Sequence, residues 1–232
     1  LGQFCHAIRR NVNMLYVLEN NGVYGLTKGQ FSASADVGST ARKGGAVNQQ
    51  PPIDPVLTAI NFGCTFVARG FSGDKQNLVP LLKAAIRHPG FALLDVLSPC
   101  VTFNDHEGST KSYAYTRESE RTTVYADFIP SREPIETDRV QDVTTITLHD
   151  GSRIVLRKVD NDYNPLDAGA ATAYIRDHQD EGEIVTGLLY INEEAQDLHA
   201  MDHTSNAHLS TLELSKLIPG AAKLAALQKA WR

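Results

Sequence analysis

Long apolar runs and blocks of basic residues are both missing from this chain of 232 residues. No apolar stretch approaches the roughly 20 residues that a membrane-spanning helix needs, so the sequence predicts no membrane partner. The formal net charge is −5 and the sequence pI is about 5.9, which argues against non-specific binding to nucleic acid. Apolar residues make up 42% of the chain, enough to form a sizeable core.

Cysteine is scarce, and its spacing excludes the usual cysteine motifs. Cys5, Cys64 and Cys100 are odd in number, far apart and without a Cys-x-x-Cys pair, so a disulfide framework is not expected. Such usage is typical of a reducing compartment and predicts a cytoplasmic location. Taken alone, each thiol is best interpreted as a small buried apolar side chain.

Three catalytic motifs are also absent. The sequence contains no serine nucleophile elbow, no Walker A loop and no complete Gly-x-Gly-x-x-Gly. Hydrolase and nucleotide triphosphatase functions therefore have no motif in their favour.

Strand and helix patterns alternate through the first hundred residues. Apolar runs at 14–18, 64–68 and 91–97 predict buried strands. Helical patterns lie between them and before them, at 1–10, 54–62 and 75–86. This order is typical of an α/β fold with a doubly wound, mostly parallel sheet.

The chain becomes more polar after Cys100, and its clearest later feature is a β-hairpin. Two alternating arms, 142–149 and 152–159, flank Asp150-Gly151, a dipeptide that favours a tight turn between strands. A helix, a strand and a helical region interrupted at Pro219-Gly220 are predicted beyond it, at 165–178, 184–191 and 210–231. We therefore predict a first domain over 1–125 and a C-terminal extension with a hairpin over 126–232.

The loop from Asn21 to Gln30 is the first candidate site. It follows an apolar strand, the position where open α/β sheets bind their ligands. Its glycines, at 22, 25 and 29, would let the backbone approach an anion. An asparagine oxygen and a nearby backbone carbonyl are hard ligands that suit Mg²⁺. The pattern indicates a metal-and-phosphate loop, and an ordinary left-handed turn built from Asn and Gly is the alternative.

Cys100 is the second candidate, because it follows the apolar strand 91–97 and would reach the same edge of the sheet. Its residue type is compatible with a nucleophile, a metal-cluster ligand or simply a buried thiol. Other polar groups are interpreted as surface or turn residues rather than as metal or acid–base sites. They are Asp105-His-Glu107, His149-Asp150 and the group His199, Asp202, His203 and His208.

Four strings of residues, taken together, resemble one enzyme family. They are His6-Ala-Ile-Arg-Arg-Asn11, Tyr24-Gly-Leu-Thr-Lys-Gly-Gln30, Gly63-Cys-Thr-Phe-Val-Ala-Arg69 and Ser98-Pro-Cys-Val-Thr-Phe-Asn104. In this order they are similar to the β subunit of the 2-oxoacid:ferredoxin oxidoreductases. The resemblance implies a thiamine-diphosphate-binding fold and an enzyme that decarboxylates a 2-oxoacid, acylates coenzyme A and passes electrons through [4Fe–4S] clusters to ferredoxin.

The resemblance also implies roles for individual residues. The Asn21 side chain and the Val23 carbonyl would bind Mg²⁺, while Gly25, Leu26 and Thr27 would meet the diphosphate of thiamine diphosphate. Cys100 would be one thiolate of a [4Fe–4S] cluster. Lys28 would pair with a distal carboxylate of the substrate, which favours 2-oxoglutarate over pyruvate; a contact to cofactor phosphate or a structural contact is the alternative. Cys64 stands where a small residue is usual and is interpreted as a core residue.

Parts of the family pattern have no match in this sequence. The Cys-x-x-Cys pair, a third cluster cysteine and the Gly-Asp-Gly metal motif would all lie upstream of residue 1. The resemblance therefore predicts that the chain corresponds to the downstream part of a β subunit that works with an α subunit. Two other functions stay open: another thiamine-dependent 2-oxoacid decarboxylase, and a non-catalytic fragment that only binds the α subunit.

Overall fold

The computed structural model describes residues 1–40, 45–129, 143–147, 153–158, 163–205, 207–218 and 220–231. The chain divides into two compact units, Leu1–Leu198 and His199–Arg232. The first unit begins with α1 (Gly2–Arg9), β1 (Met14–Asn20), β2 (Val23–Tyr24), β3 (Gln30–Phe31), α2 (Pro55–Asn61), β4 (Phe66–Phe71), α3 (Lys75–Arg87) and β5 (Phe91–Leu97). It continues with α4 (Tyr113–Ser119), β6 (Glu120–Ile129), β7 (Val143–Thr147), β8 (Arg153–Lys158), α5 (Ala168–Asp180) and β9 (Ile184–Ile191).

Seven strands form one sheet in the order β1-β5-β4-β9-β6-β8-β7. The strands β1, β5 and β4 are parallel to one another, and β6 is parallel to β9. The pairs β4–β9, β6–β8 and β7–β8 are antiparallel. Helices cover both faces: α2 begins beside Arg69, whereas Leu78 of α3 contacts Gly70 on the opposite face of β4. The predicted doubly wound α/β fold is thereby confirmed.

Most of the predicted elements are present, with boundaries shifted by a few residues. The hairpin strands are confirmed as β7 and β8, and the turn at Asp150-Gly151, with His149, lies outside the described residues. The strand β6 and the helix α4 have no counterpart in the sequence prediction, because the segment is polar and shows no clear period. The predicted boundary between 125 and 126 falls within β6 and stays a prediction.

The core lies between the sheet and its helices. Phe66 and Val67 of β4 and Leu93 and Leu94 of β5 are fully buried. Burying an apolar side chain of this size stabilises a fold by roughly 1.5–3 kcal/mol. The two central strands therefore provide a rigid base from which the loops at their carboxyl ends extend.

The prediction of a buried first strand is wrong for β1. It is an edge strand of the described sheet, and Met14, Tyr16 and Val17 are 40%, 38% and 46% exposed. A short apolar run fits a central strand and a half-covered edge strand equally well, so periodicity does not separate them.

The described residues of the second unit, His199–Arg232, form helical segments. After α6 (Leu198–Met201), which spans the division between the units, come a 3₁₀ turn at Leu209–Thr211, α7 (Leu214–Leu217) and α8 (Gly220–Ala230). The predicted interruption of the helical region near residue 220 is confirmed. Among the described residues of the chain, no helix has the length and apolarity that crossing a membrane requires.

Candidate cofactor and metal site

Two loops meet where the parallel strands β1 and β5 end. Asn20, the last residue of β1, pairs in register with Leu97, the last residue of β5. The backbone N–H of Ser98 then donates to the carbonyl oxygen of Asn20 at 3.0 Å. Since parallel neighbours end at the same edge of a sheet, the Asn21–Gln30 loop and the Ser98–Asn104 segment begin side by side.

The start of the Asn21–Gln30 loop is a compact turn. The backbone N–H of Val23 donates to Asn21 Oδ1 at 3.1 Å, and Gly22 between them has a φ of +72°. A side-chain oxygen that accepts a bond two residues on is the pattern that makes Asn common in turns. Both predicted metal ligands, Asn21 and Val23, are therefore held within one turn of backbone.

The end of the loop closes on itself and leaves its tip exposed. The backbone N–H of Lys28 donates to the carbonyl of Gly25 at 3.1 Å, and that of Gly29 donates to Tyr24 at 3.0 Å. Leu26 is 99% exposed, and Thr27 and Lys28 are also exposed. The Thr27 hydroxyl donates to the side-chain oxygen of Gln30. The residues predicted to meet the diphosphate thus lie on an accessible tip.

The three glycines of the loop each face the segment that carries Cys100. A Cβ added to Gly22 would lie 3.1 Å from Asn104 Nδ2, and one added to Gly29 would lie 3.2 Å from the Phe103 ring. A Cβ at Gly25 would lie 4.0 Å from Cys100 Sγ. The small residues thus let the two loops pack against each other, and the structure brings Cys100 next to the predicted phosphate-binding residues.

Asn104 joins the two loops directly. Its side chain is buried, and Nδ2 donates to the backbone carbonyl of Asn21 at 2.7 Å. Its own backbone N–H donates to the Cys100 carbonyl at 2.8 Å. In the sequence Asn104 stands only at the end of the Ser98–Asn104 string, and no local pattern shows that its amide is buried against the Asn21 turn.

The Asn21 turn is chemically suited to a hard cation. Val23 N–H occupies one lone pair of Asn21 Oδ1, and the second lone pair can face a metal. Carbonyl and amide oxygens are the neutral ligands that Mg²⁺ accepts alongside water and phosphate oxygens. The residues present therefore fit part of a Mg²⁺ site, although two oxygens are fewer than an octahedral ion needs.

The cysteines fit a [4Fe–4S] cluster only in part. Such a cluster is held by four thiolates. Cys64 is buried, its thiol donates to the carbonyls of Phe66 and Phe91, and burial raises its pKa to about 12. Cys5 lies in α1, and Cys100 is half-buried at the loop junction. Cys100 can supply one thiolate, and this chain does not supply the other three.

A buried ion triad joins β4 to β5 and to the N-terminus of α2. Arg69 Nε donates to Asp95 Oδ2 at 2.8 Å, and Arg69 Nη2 donates to Asp54 Oδ1 at 2.9 Å. Burial raises the pKa of Asp95 although Arg69 opposes this rise. Burial also acts on Asp54, but there the charge and hydrogen bonds of Arg69 prevail and lower the pKa. A carboxylate inside the apolar run Phe91–Leu97 needs a cation, which is how the triad could have been inferred.

Two clefts border this junction. The smaller, of about 360 Å³, is lined by the Asn21 turn together with apolar residues that include Phe4, Tyr16 and Pro55. The larger, of about 810 Å³, is lined by polar residues that include Arg69, Lys111 and Gln179. Asn20 and Ser34 border both clefts, and Ser34 Oγ donates to Asn20 Oδ1 at 2.7 Å. The junction is therefore accessible from two sides.

The histidine group predicted to be ordinary surface residues forms no metal-ligand cluster within the described part of the chain. The group of potential metal ligands found there is instead His178, Glu181 and Glu183. His178 Nδ1 lies 2.7 Å from Glu183 Oε2, and Arg121 Nη1 lies 3.4 Å from the same oxygen. At these distances the Glu183 carboxylate already contacts the Arg121 guanidinium and the His178 ring, so this group is explained without a metal ion.

A family model and a solved structure match this chain. Residues 1–96 match the thiamine pyrophosphate enzyme, C-terminal TPP binding domain; thiamine pyrophosphate is another name for thiamine diphosphate. A solved structure of 2-oxoglutarate:ferredoxin oxidoreductase from Magnetococcus marinus, with 2-oxoglutarate, coenzyme A and succinyl-CoA bound, superposes with a TM-score of 0.63 at 26% identity. That match covers 97% of this chain and 62% of the solved chain.

Relatives of known family give the same result. The chain is 42% identical over 136 residues to the β subunit of 2-oxoacid:ferredoxin oxidoreductase from Saccharolobus solfataricus, covering 58% of this chain and 42% of that one. It is 48% identical over 104 residues to a Sulfolobus β subunit, 45% of this chain and 34% of the relative. It is also 41% identical over 100 residues to 2-oxoglutarate oxidoreductase subunit KorB of Mycobacterium tuberculosis, 43% and 27% of the two chains.

These matches cover less than half of the length of those three relatives. Within that part, sequence and fold agree with one another and with the motifs around Asn21 and Cys100. The resemblance is thus confirmed: this chain is similar to the β subunits of the 2-oxoacid:ferredoxin oxidoreductases, with a thiamine-diphosphate-binding domain matched over residues 1–96.

Proposed function

We propose that this chain belongs to the β subunit of a 2-oxoacid:ferredoxin oxidoreductase, with 2-oxoglutarate as the favoured substrate. The main support for this proposal is the junction of the Asn21–Gln30 loop with the Ser98–Asn104 segment. This junction brings the predicted metal-and-phosphate loop next to the Cys100 thiol. The proposed partners are an α subunit, ferredoxin, coenzyme A and the 2-oxoacid, and the proposed location is the cytoplasm. The Magnetococcus enzyme, whose bound molecules include 2-oxoglutarate and coenzyme A, supports this choice.

In the proposed site, the Asn21 side-chain oxygen and the Val23 carbonyl bind Mg²⁺. The backbone at Gly25, Leu26 and Thr27 approaches the diphosphate, which the absence of a side chain at Gly25 permits. Thiamine diphosphate, when bound, supplies the carbon nucleophile and the electron sink for decarboxylation. The chain's own residues hold and orient it, and no side chain is assigned as an acid or base.

Cys100 and Lys28 have proposed roles beside the cofactor loop. Cys100 supplies one thiolate of a [4Fe–4S] cluster, and the remaining ligands come from outside this chain. Lys28 is exposed on the loop tip with a φ of +75°, a conformation that turns the backbone sharply beside Gly29. A cation at this position can pair with the distal carboxylate of 2-oxoglutarate, which pyruvate lacks.

The two competing functions make different predictions. Another thiamine-dependent decarboxylase would bind Mg²⁺ and thiamine diphosphate but would contain no iron. A non-catalytic fragment would bind neither cofactor. Iron and acid-labile sulfide analysis of the purified full-length complex, together with its binding of thiamine diphosphate, separates the three functions in one preparation.

The test of the cofactor role is the variant Asn21→Ala in the assembled full-length enzyme. Loss of a direct metal ligand is expected to raise the dissociation constant of thiamine diphosphate at limiting Mg²⁺ by about 10-fold or more. The matched control is Asn13→Ala, which removes an exposed asparagine bonded to Asp197 and leaves the loop intact. Equal affinity of the Asn21→Ala variant and the wild type would overturn the assignment.

A further inference from the structure

Within the described residues, Asn104 is the one residue whose side chain joins the Ser98–Asn104 segment to the Asn21–Gln30 loop by a hydrogen bond. It is 2% exposed, and its Nδ2 donates to the carbonyl of Asn21 at 2.7 Å. The described chain offers no hydrogen-bond partner to its Oδ1, so the side chain is held through the donor alone. A single bond from a buried amide therefore fixes the peptide that follows Asn21.

The backbone of Asn104 is itself fixed from both sides. Its N–H donates to the Cys100 carbonyl at 2.8 Å, and its carbonyl accepts from Ser109 Oγ at 3.0 Å. The Asn104 amide is thus a rigid donor rather than a side chain that adapts to the loop. Because this donor is rigid, the position of the Ser98–Asn104 segment determines where the Asn21 carbonyl lies.

The hydrogen bond from Asn104 also restrains the Asn21 turn, because the turn is tightly packed at Gly22. Gly22, which follows the bound carbonyl, has a φ of +72°, and a Cβ there would lie 3.1 Å from Asn104 Nδ2 and 3.4 Å from Lys111 Cγ. The Asn21–Gly22 peptide is therefore packed against the Asn104 amide and the Lys111 stem. Rotation of this peptide would move both Asn21 and Val23, the residues proposed to bind the metal.

We infer that Asn104 is a positioning residue for the metal site. Through the Asn21 carbonyl it sets the orientation of the Asn21 side-chain oxygen toward Mg²⁺, and it couples that oxygen to the segment that carries Cys100. This inference rests on the proposed function, because it requires that the loop bind Mg²⁺. It assigns a separate role to a residue that touches neither the metal nor the diphosphate.

The variant Asn104→Asp tests the inference in the assembled full-length enzyme. Aspartate keeps the shape of the side chain but has no amide hydrogen to donate to the Asn21 carbonyl. With Mn²⁺ as the probe, we expect the metal dissociation constant at saturating thiamine diphosphate to rise about 10- to 100-fold. Excess Mn²⁺ should restore thiamine diphosphate binding, a rescue that general loss of structure would not permit.

Asn48→Asp is the matched control. Asn48 is also buried, and its amide donates to the backbone carbonyls of Ala35 at 2.8 Å and Gln50 at 2.9 Å, away from the Asn21 turn. This variant should lower the melting temperature while leaving the Mn²⁺ dissociation constant unchanged. Equal weakening of Mn²⁺ binding by the two variants would overturn the inference.

A double-mutant cycle adds a readout specific to positioning. If Asn104 acts through Asn21, then Asn104→Asp should have little further effect in an Asn21→Ala background. Additive effects would overturn the inference.

If Asn104→Asp does not assemble, Gly22→Ala tests the same contact from the other side. Wild-type Mn²⁺ affinity in the Gly22→Ala variant would refute the inference. Failure of the wild type to bind Mn²⁺ and thiamine diphosphate would instead overturn the proposed function.

Discussion

The backbone N–H of Ser98 donates to the carbonyl oxygen of Asn20 at 3.0 Å, one residue beyond the end of β5. This bond extends the β1–β5 pairing to the point where both candidate loops begin. It explains how residues far apart in the sequence, such as Gly25 and Cys100, become neighbours. The parallel pairing of two strands thus assembles the site from two motifs that are each incomplete.

The glycine at position 25 allows a direct test of the phosphate-binding role. A Cβ there would meet Cys100 Sγ at 4.0 Å, an ordinary contact, so Gly25→Ala should fold with a melting temperature near that of the wild type. The added methyl group should nevertheless obstruct the diphosphate and weaken thiamine diphosphate binding by about 10-fold, measured by isothermal titration calorimetry. Gly2→Ala, where a Cβ would meet nothing within 4 Å, is the control. Unchanged affinity in Gly25→Ala would place the diphosphate elsewhere.

The ion triad predicts a large stability effect of Arg69→Met. This change removes the cation between two buried carboxylates and should lower the free energy of unfolding by roughly 3–5 kcal/mol at pH 7. Arg121→Met is the control, since Arg121 pairs with Glu183 at a partly exposed position and should cost about 1 kcal/mol or less. Chemical denaturation of both variants measures the difference. Similar losses in the two variants would show that the triad contributes no more than a surface pair.

The triad also predicts a pH dependence for Arg69→Met. Without the cation, burial keeps the folded-state pKa of Asp95 raised, and Asp54 loses the Arg69 charge that contributes to lowering its pKa. Carboxyl groups whose folded-state pKa is raised retain protons that the unfolded chain has released. The free energy of unfolding of this variant should therefore decrease as the pH rises above about 4 and through the raised folded-state pKa of Asp95. Denaturation midpoints that stay constant between pH 5 and 8 would contradict this prediction.

Lys28→Ala tests substrate preference. If Lys28 pairs with the distal carboxylate, its removal should raise KM for 2-oxoglutarate by about 10-fold or more and leave KM for pyruvate nearly unchanged. Lys83→Ala, on the exposed side of α3, serves as the control for loss of a surface charge. An equal effect on both substrates would mean that Lys28 has no role in selectivity and contacts the cofactor or the fold instead.

Cys100→Ser tests the cluster assignment in the purified complex. Loss of one of four thiolates should reduce the iron and acid-labile sulfide content or the cluster's visible absorbance. Cys5→Ser removes another half-buried thiol, in α1, and should leave both measurements unchanged. If iron, sulfide and absorbance all survive Cys100→Ser, Cys100 is not a cluster ligand.

The fold was largely predictable because its central elements carry strong local patterns. The apolar run at 91–97 and the amphipathic period from Lys75 predict β5 and α3 with almost their observed boundaries. The hairpin strands β7 and β8 follow from their alternation. By contrast, β6 is placed between β9 and β8 by sheet pairing that its polar sequence does not reveal.

The site was predictable as two loops, but not as one assembly. Glycines at 22, 25 and 29 indicate a close approach without showing that the Cys100 segment faces them. The roles of Asn104 and of the Arg69 triad depend on contacts across strands β1, β4 and β5, which local patterns do not contain. For the triad, the sequence signal is Asp95 within an apolar run, because a buried carboxylate predicts a buried cationic partner.

The most direct test of the whole account is to locate the metal in the assembled full-length enzyme with Mn²⁺ and thiamine diphosphate bound. The anomalous scattering of Mn²⁺ in a crystal gives its position independently of the surrounding chain. We predict a peak about 2.0–2.3 Å from Asn21 Oδ1, with the Val23 carbonyl in the same coordination sphere. A metal peak away from the Asn21 turn, with thiamine diphosphate bound, would contradict the account.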